Sequence, residues 1–163
     1  MDSEWKIYLN RAENELILAN VNLDISIKPE LKKILGILLD KTFFNDVISE
    51  SYYSIFYSAK AYLLFKEIKT YAPEEHKKTY EEFKKLVESG KLDRELLEIY
   101  EIENEKAEVL LKIFFYEKRK RGNFTYNLKS EANIPRAEES IKNAKKFVST
   151  IKHLIESKQW NKN

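Results

Sequence analysis

Apolar residues recur three and four positions apart along almost the whole chain, the spacing of one face of an α-helix. Trp5, Tyr8, Leu9, Ala12, Leu16 and Ala19 make the first such stripe. Ile27-Lys28-Pro29-Glu30 then puts a proline where a first helical turn tolerates it, which predicts a short helix reaching about Leu39. Residues 44–67 are the most apolar. Phe44, Ile48, Ile55, Ala59, Tyr62 and Leu63 form one stripe there, and Tyr52, Tyr53, Phe56 and Tyr57 extend apolar and aromatic surface well beyond it. A helix apolar on most sides is either the centre of a bundle or shared with a partner, and the centre of a bundle is the more ordinary reading.

Pro73-Glu74-Glu75 predicts the opening of another helix, with proline in its first turn and acids at the positive end of its dipole. His76, Tyr80, Phe83 and Val87 share its inner face, and Gly90 supplies a left-handed stop. Asp93 is suited to cap the next helix, which carries Leu96, Tyr100, Ala107, Leu110, Leu111 and Phe114 and runs to a stop near Gly122. Asn133 and Pro135 start the last one. Its Ala137, Ile141, Ala144, Val148, Ile151 and Ile155 alternate steps of four and three, the narrow seam of a helix aligned with its neighbours. No period-two strand pattern competes. Five of the six Gly and Pro residues fall at breaks between these segments, Gly36 being the exception. The expectation is an all-α fold: an antiparallel up-and-down helical bundle of four long helices plus one or two short helices. It spans residues 1–158 as a single domain, with a frayed tail at 159–163.

At 163 residues the chain is long enough to carry its own core. It has no cysteine, so disulfides, thiolate metal sites and cysteine nucleophiles are excluded, and two histidines are too few for a multi-histidine metal centre. There is no Gly-rich phosphate loop, no His-Glu-x-x-His and no Gly-x-Ser-x-Gly, so no metal or cofactor is expected. His76, early in a helix, reads as a packed or capping side chain before a catalytic one. The first residues are acidic and lack an apolar run ending in small residues, and no stretch approaches a membrane span. A cytoplasmic protein without a membrane partner is the expectation.

Charge sharpens this picture only when divided along the chain. The 29 basic and 27 acidic residues nearly cancel. Residues 1–111 hold 16 basic and 22 acidic residues, whereas 112–163 hold 13 basic and 5 acidic. The densest cluster is Lys118, Arg119, Lys120 and Arg121, followed by Asn123, Phe124 and Tyr126. Cations in a last helical turn complement the dipole. The same residues can also seat phosphates, and aromatic side chains beside arginine can stack on unpaired bases.

Two stretches resemble a known family. Asp46-Val-Ile-Ser-Glu-Ser-Tyr52-Tyr53-Ser-Ile-Phe56-Tyr-Ser-Ala-Lys60-Ala-Tyr-Leu-Leu is similar to the second helix of HEPN (higher eukaryotes and prokaryotes nucleotide-binding) domains, which in prokaryotic branches commonly reads Ser-x-x-Tyr-Tyr-x-x-Phe-x-x-Ala-x-x-Leu. The second is the end of the long helix before Gly122, where the family carries an arginine followed four to six residues later by histidine. The resemblance covers roughly residues 5–155. It implies a helical bundle, usually dimeric, in which the motifs of two subunits share a cleft. Active members are metal-independent ribonucleases in which histidine moves protons and arginine stabilises phosphate charge.

Here the frame reads Arg119-x(4)-Phe124-x-Tyr126, with phenylalanine at the histidine position. Phenylalanine cannot carry a proton, and a tyrosine titrates too high to be a good base at neutral pH. A second branch pairs the arginine with Asp-Tyr. Arg119, Asn123 and Phe124 resemble that variant, whose members often neighbour a small nucleotidyltransferase. The resemblance therefore implies a homodimeric nucleotide- or RNA-binding protein without full ribonuclease activity. Lys118, Arg119, Lys120, Arg121, Asn123 and Phe124 would contact nucleotide and phosphate, and Arg119 and Tyr126 remain as catalytic candidates. Tyr52, Tyr53 and Phe56 would form the dimer interface or the packing beneath the cleft. The alternatives are a partner subunit of a minimal nucleotidyltransferase in a toxin–antitoxin-like system, and a metal-independent RNase toxin. Residues 24–41 form an insertion, longer than the family usually has between its first two helices, that covers the bundle or lengthens the dimer contact.

Overall fold

The computed structural model describes residues 3–119 and 134–160, with side chains described for 3–107 and 134–158. Six helices make up these residues: α1 (Glu4–Ile27), α2 (Pro29–Ile34), α3 (Phe44–Phe65), α4 (Glu75–Glu88), α5 (Arg94–Arg119) and α6 (Ile134–Trp160). No strand occurs among them. The architecture is the all-α bundle its periodicity predicts.

The centre is α3. Fourteen of its 22 residues are buried, and it packs against α1, α4, α5 and α6. That burial answers the choice posed by its all-round apolarity: most of its surface is satisfied within this one chain. Small side chains let α1 approach it closely. Ala12 and Ala19 of α1 and Ser54, Ser58 and Ala61 of α3 are buried, and the Ser54 hydroxyl donates to the Ala12 carbonyl at 2.8 Å. The large rings fill the other side, where Tyr100 of α5 sits within ring contact of Tyr52, Phe83 and Phe147. A second, smaller cluster joins Ala19, Phe44, Val47, Ala137 and Ile141 at the far end. The α6 seam is buried along its length.

Turn chemistry sets the helix ends, and two of them depart from expectation. The short helix closes at Ile34 instead of reaching Leu39. Gly36 is its left-handed stop, at φ 67, and the Ile37 N–H reaches back to the Lys32 carbonyl at 2.8 Å. Gly36 therefore does mark a break. Beyond it, the buried Lys32 ammonium donates to the Leu39 carbonyl at 2.8 Å. The Phe43 N–H donates to the Ser26 hydroxyl at 2.8 Å, pinning the 24–41 insertion at both ends. The second departure is Pro73, which precedes α4 instead of sitting in its first turn, because Glu74 at φ 62 intervenes. Gly90 and Asp93 act as expected. Gly90 takes φ 73, and the Asp93 side chain accepts the Glu95 N–H at 3.0 Å.

Glu67 ends α3 at φ 63, with the Ile68 N–H returning to the Leu63 carbonyl at 2.8 Å. This is the same left-handed closure made without glycine. Because Glu67 is exposed and a Cβ is disfavoured in this region, Glu67→Gly is expected to raise the unfolding free energy by about 0.5–1 kcal/mol. Urea denaturation would show it as a higher midpoint at constant slope.

Candidate functional site

The outward side of α3 carries Asp46, Glu50, Tyr53 and Tyr57 at steps of four, three and four, so they line up along one stripe of the helix. The first half of α1 flanks this stripe with Arg11 and Glu15, and the start of α4 flanks it with His76. Together with Ser49 they enclose an open groove of about 500 Å³.

Buried aromatic rings pack beneath this lining. Tyr52 and Phe56 are 6% and 2% exposed, and His76 lies flat on Phe56 with ring centroids 3.8 Å apart and planes 8° apart. The His76 Nδ1 shares a hydrogen bond of 2.9 Å with the Tyr52 hydroxyl, and the Tyr53 ring meets the imidazole edge-on at 5.8 Å. Burial, and secondarily the Lys60 ammonium, hold the His76 pKa below its ordinary value, which favours the neutral ring. Lys60 is itself buried, ion-paired with Glu75 and 4.3 Å from the centre of the Tyr8 ring.

The rim is charged. The Arg11 guanidinium stands 4.1 Å over the Tyr57 ring. Burial pushes the Tyr57 hydroxyl pKa up, and Arg11 opposes this. Glu50 is half-buried and accepts two hydrogen bonds from the Asn22 amide, at 2.8 and 3.0 Å. Burial raises its pKa to about 7. The Asn22 bonds pull against this, while Asp46 and Glu15 push with it. At neutral pH, Glu50 thus exchanges a proton with solvent, the property an acid–base group needs. Asp46, Glu15 and a partly ionised Glu50 against one guanidinium make the groove a poor seat for phosphate. Among the described residues, no group of three or more His, Cys, Asp or Glu side chains is placed to hold a metal ion.

The residues picked out in the sequence fall into two sets. Tyr52, Tyr53 and Phe56 come together at this groove. Tyr52 and Phe56 are buried beneath its lining, which leaves Tyr53, 37% exposed, as the one of the three that lines it and offers surface to another molecule. Lys118 and Arg119 form the end of α5. Lys120, Arg121, Asn123, Phe124 and Tyr126 lie outside the described residues. Lys106 of α5 bonds Glu139 of α6 at 2.8 Å, and farther back Asn143 bonds Glu103. The two helices are therefore antiparallel, and at about 1.5 Å per residue the last two turns of α5 run past the start of α6 at Ile134. The start of α3 is at that same end, where Phe44 and Val47 pack on Ala137 and Ile141. The acidic end of the groove and the basic end of α5 thus share one end of the bundle.

Sequence reasoning passed over Arg11, Glu15 and Glu50, and named Tyr57 only as apolar surface. It read His76 as a packed inner-face residue, and the ring does pack on Phe56 and Tyr52 of α3, while the residue keeps enough surface to line the groove. The signal present was the spacing of Asp46, Glu50, Tyr53 and Tyr57 on the helix read as central. No family model, no curated protein and no solved structure matches this chain.

Proposed function

We propose that this chain is a HEPN-like helical protein of the cytoplasm that binds nucleotide or RNA as a homodimer, without full ribonuclease activity. The observation that carries the reading is the placement of the basic run. Lys118 and Arg119 end a continuous helix that extends past the start of α6, in the part of the chain where basic residues outnumber acidic ones 13 to 5. Phosphates are drawn to that end because each Lys or Arg contact releases condensed counterions. The acidic groove beside it repels phosphate and offers instead the exposed ring of Tyr53, a surface on which an unpaired base can stack. Phe124 at the proton-carrier position supports binding over cleavage.

The test is fluorescence anisotropy with a labelled single-stranded RNA across a salt series. The expected result is a linear fall of log affinity with log salt. Replacing Arg119 and Arg121 together by alanine should flatten that slope by about 1.4, roughly 0.7 for each lost contact to a single strand. Binding that ignores salt, or that the double variant leaves unchanged, overturns the proposal.

A further inference from the structure

Several large apolar side chains stand in solvent on one part of this molecule. On α1 these are Ile7, Ile17, Leu18 and Val21, on the side opposite the one packed on α3. Ile7, Arg11, Asn14, Leu18, Val21 and Ile25 step by four and three, so α1 carries a second seam beside its buried one. The turn that follows α2 adds Ile34, Leu35, Leu38 and Leu39. It sits at the same end, since α2 packs on α1 and Phe43 is bonded to Ser26. Each of these eight exposed residues keeps between 45% and 79% of its surface. Ile7 lies farther back along α1; the other seven leave on the order of 800 Å² open, comparable to the ~800 Å² per partner of a stable dimer.

We infer that a second copy of this chain covers this face, with the 17–25 segments of the two α1 helices crossing at a two-fold axis and the two 34–39 turns packed at either side. The chemistry favours a copy of itself. The stretch from Leu16 to Leu23 contains no charged residue, so bringing two copies together sets no like charges in contact. A lipid surface fits less well. An interfacial helix is normally rich in Lys and Arg, whereas α1 has four acids and two bases. This inference rests on the homodimeric part of the reading above and places the interface on α1 and the 24–41 insertion, away from Tyr52 and Phe56, which are buried within one chain. Arg11 borders both the seam and the groove, so the partner would stand beside the groove's α1 wall.

Light scattering of the full chain at tens of micromolar should give the mass of a dimer. Leu18→Glu with Val21→Glu should give a monomer whose thermal melt stays cooperative, since both residues are exposed. A cross-link supplies a readout that does not depend on folding of that variant. The chain has no cysteine, so Val21→Cys should form a disulfide-linked dimer on mild oxidation, and Lys84→Cys on α4 should not. A monomeric wild type overturns the inference, whether or not it sediments with phosphatidylglycerol vesicles. So does a dimer that survives the double substitution, or equal cross-linking at both cysteines. A monomeric wild type would also remove the homodimeric part of the reading above, whereas a dimer that survives the double substitution, or that cross-links equally at both cysteines, removes this interface alone, and the RNA titration reads the phosphate contacts separately.

Discussion

Phe56→Ala is expected to lower the unfolding free energy by about 3–5 kcal/mol, the cost of removing a buried aromatic ring and leaving a cavity. Phe56 is 2% exposed at the centre of α3, with the rings of Tyr57 and His76 at 5.1 and 3.8 Å and that of Tyr52 at 6.4 Å. Surrounding helices cannot collapse into the gap easily, because α1, α5 and α6 are all held against the same helix. Urea denaturation followed by circular dichroism gives the loss as a lower midpoint at constant slope. A second consequence separates this ring from any other in the core. Burial is the first cause of the lowered His76 pKa, and Phe56 covers one face of that imidazole. Its removal should move the His76 titration up towards 6.5. Proton NMR can follow this directly, since His153 is the only other histidine. A stability loss under about 1 kcal/mol, or an unmoved His76 titration, contradicts this account of the packing beneath the groove.

What could be read from the residues alone was local. The α6 seam was legible because its small and branched residues repeat without interruption from Ala137 to Ile155. The central place of α3 was legible because few of its positions are polar enough to face water. The start of α4 was not, since a proline in the sequence does not reveal that the next residue takes positive φ. The groove was legible only in half. The stripe from Asp46 to Tyr57 lies on one helix and obeys its period. Its chemistry comes from contacts that no local period encodes: Asn22 reaches Glu50 across 28 positions, and His76 reaches Tyr52 across 24. The outer seam of α1 was hidden for another reason. Its inner stripe already accounted for a helix, and a second apolar face shows as surplus only when the first is seen to be buried.

Glu50→Gln is expected to stabilise the protein at pH 8 and to leave it unchanged at acid pH. The Glu50 carboxyl has its pKa raised to about 7 from an ordinary 4.5, with burial the largest cause. As pH rises through 4.5, the unfolded chain loses this proton while the folded one keeps it. The folded state then binds more protons, so stability falls with rising pH from 4.5 to about 7 and levels off above. The whole shift corresponds to about 3 kcal/mol, and screening of a half-exposed group reduces this to about 1–2 kcal/mol. His76 works in the opposite sense. Its pKa lies below 6.5 in the folded state, so the unfolded chain takes up its proton first as pH falls, and stability drops on the acid side of 6.5. The raw stability curve therefore mixes two slopes, and the informative quantity is the difference between wild type and variant. Glutamine keeps an oxygen for the Asn22 amide, so the difference isolates the charge. It should be near zero below pH 4.5, grow up to about pH 7 and stay constant to pH 9. A difference that does not vary with pH would mean that Glu50 is an ordinary exposed carboxylate. It would also remove from the groove the one carboxyl group that changes its charge near neutral pH.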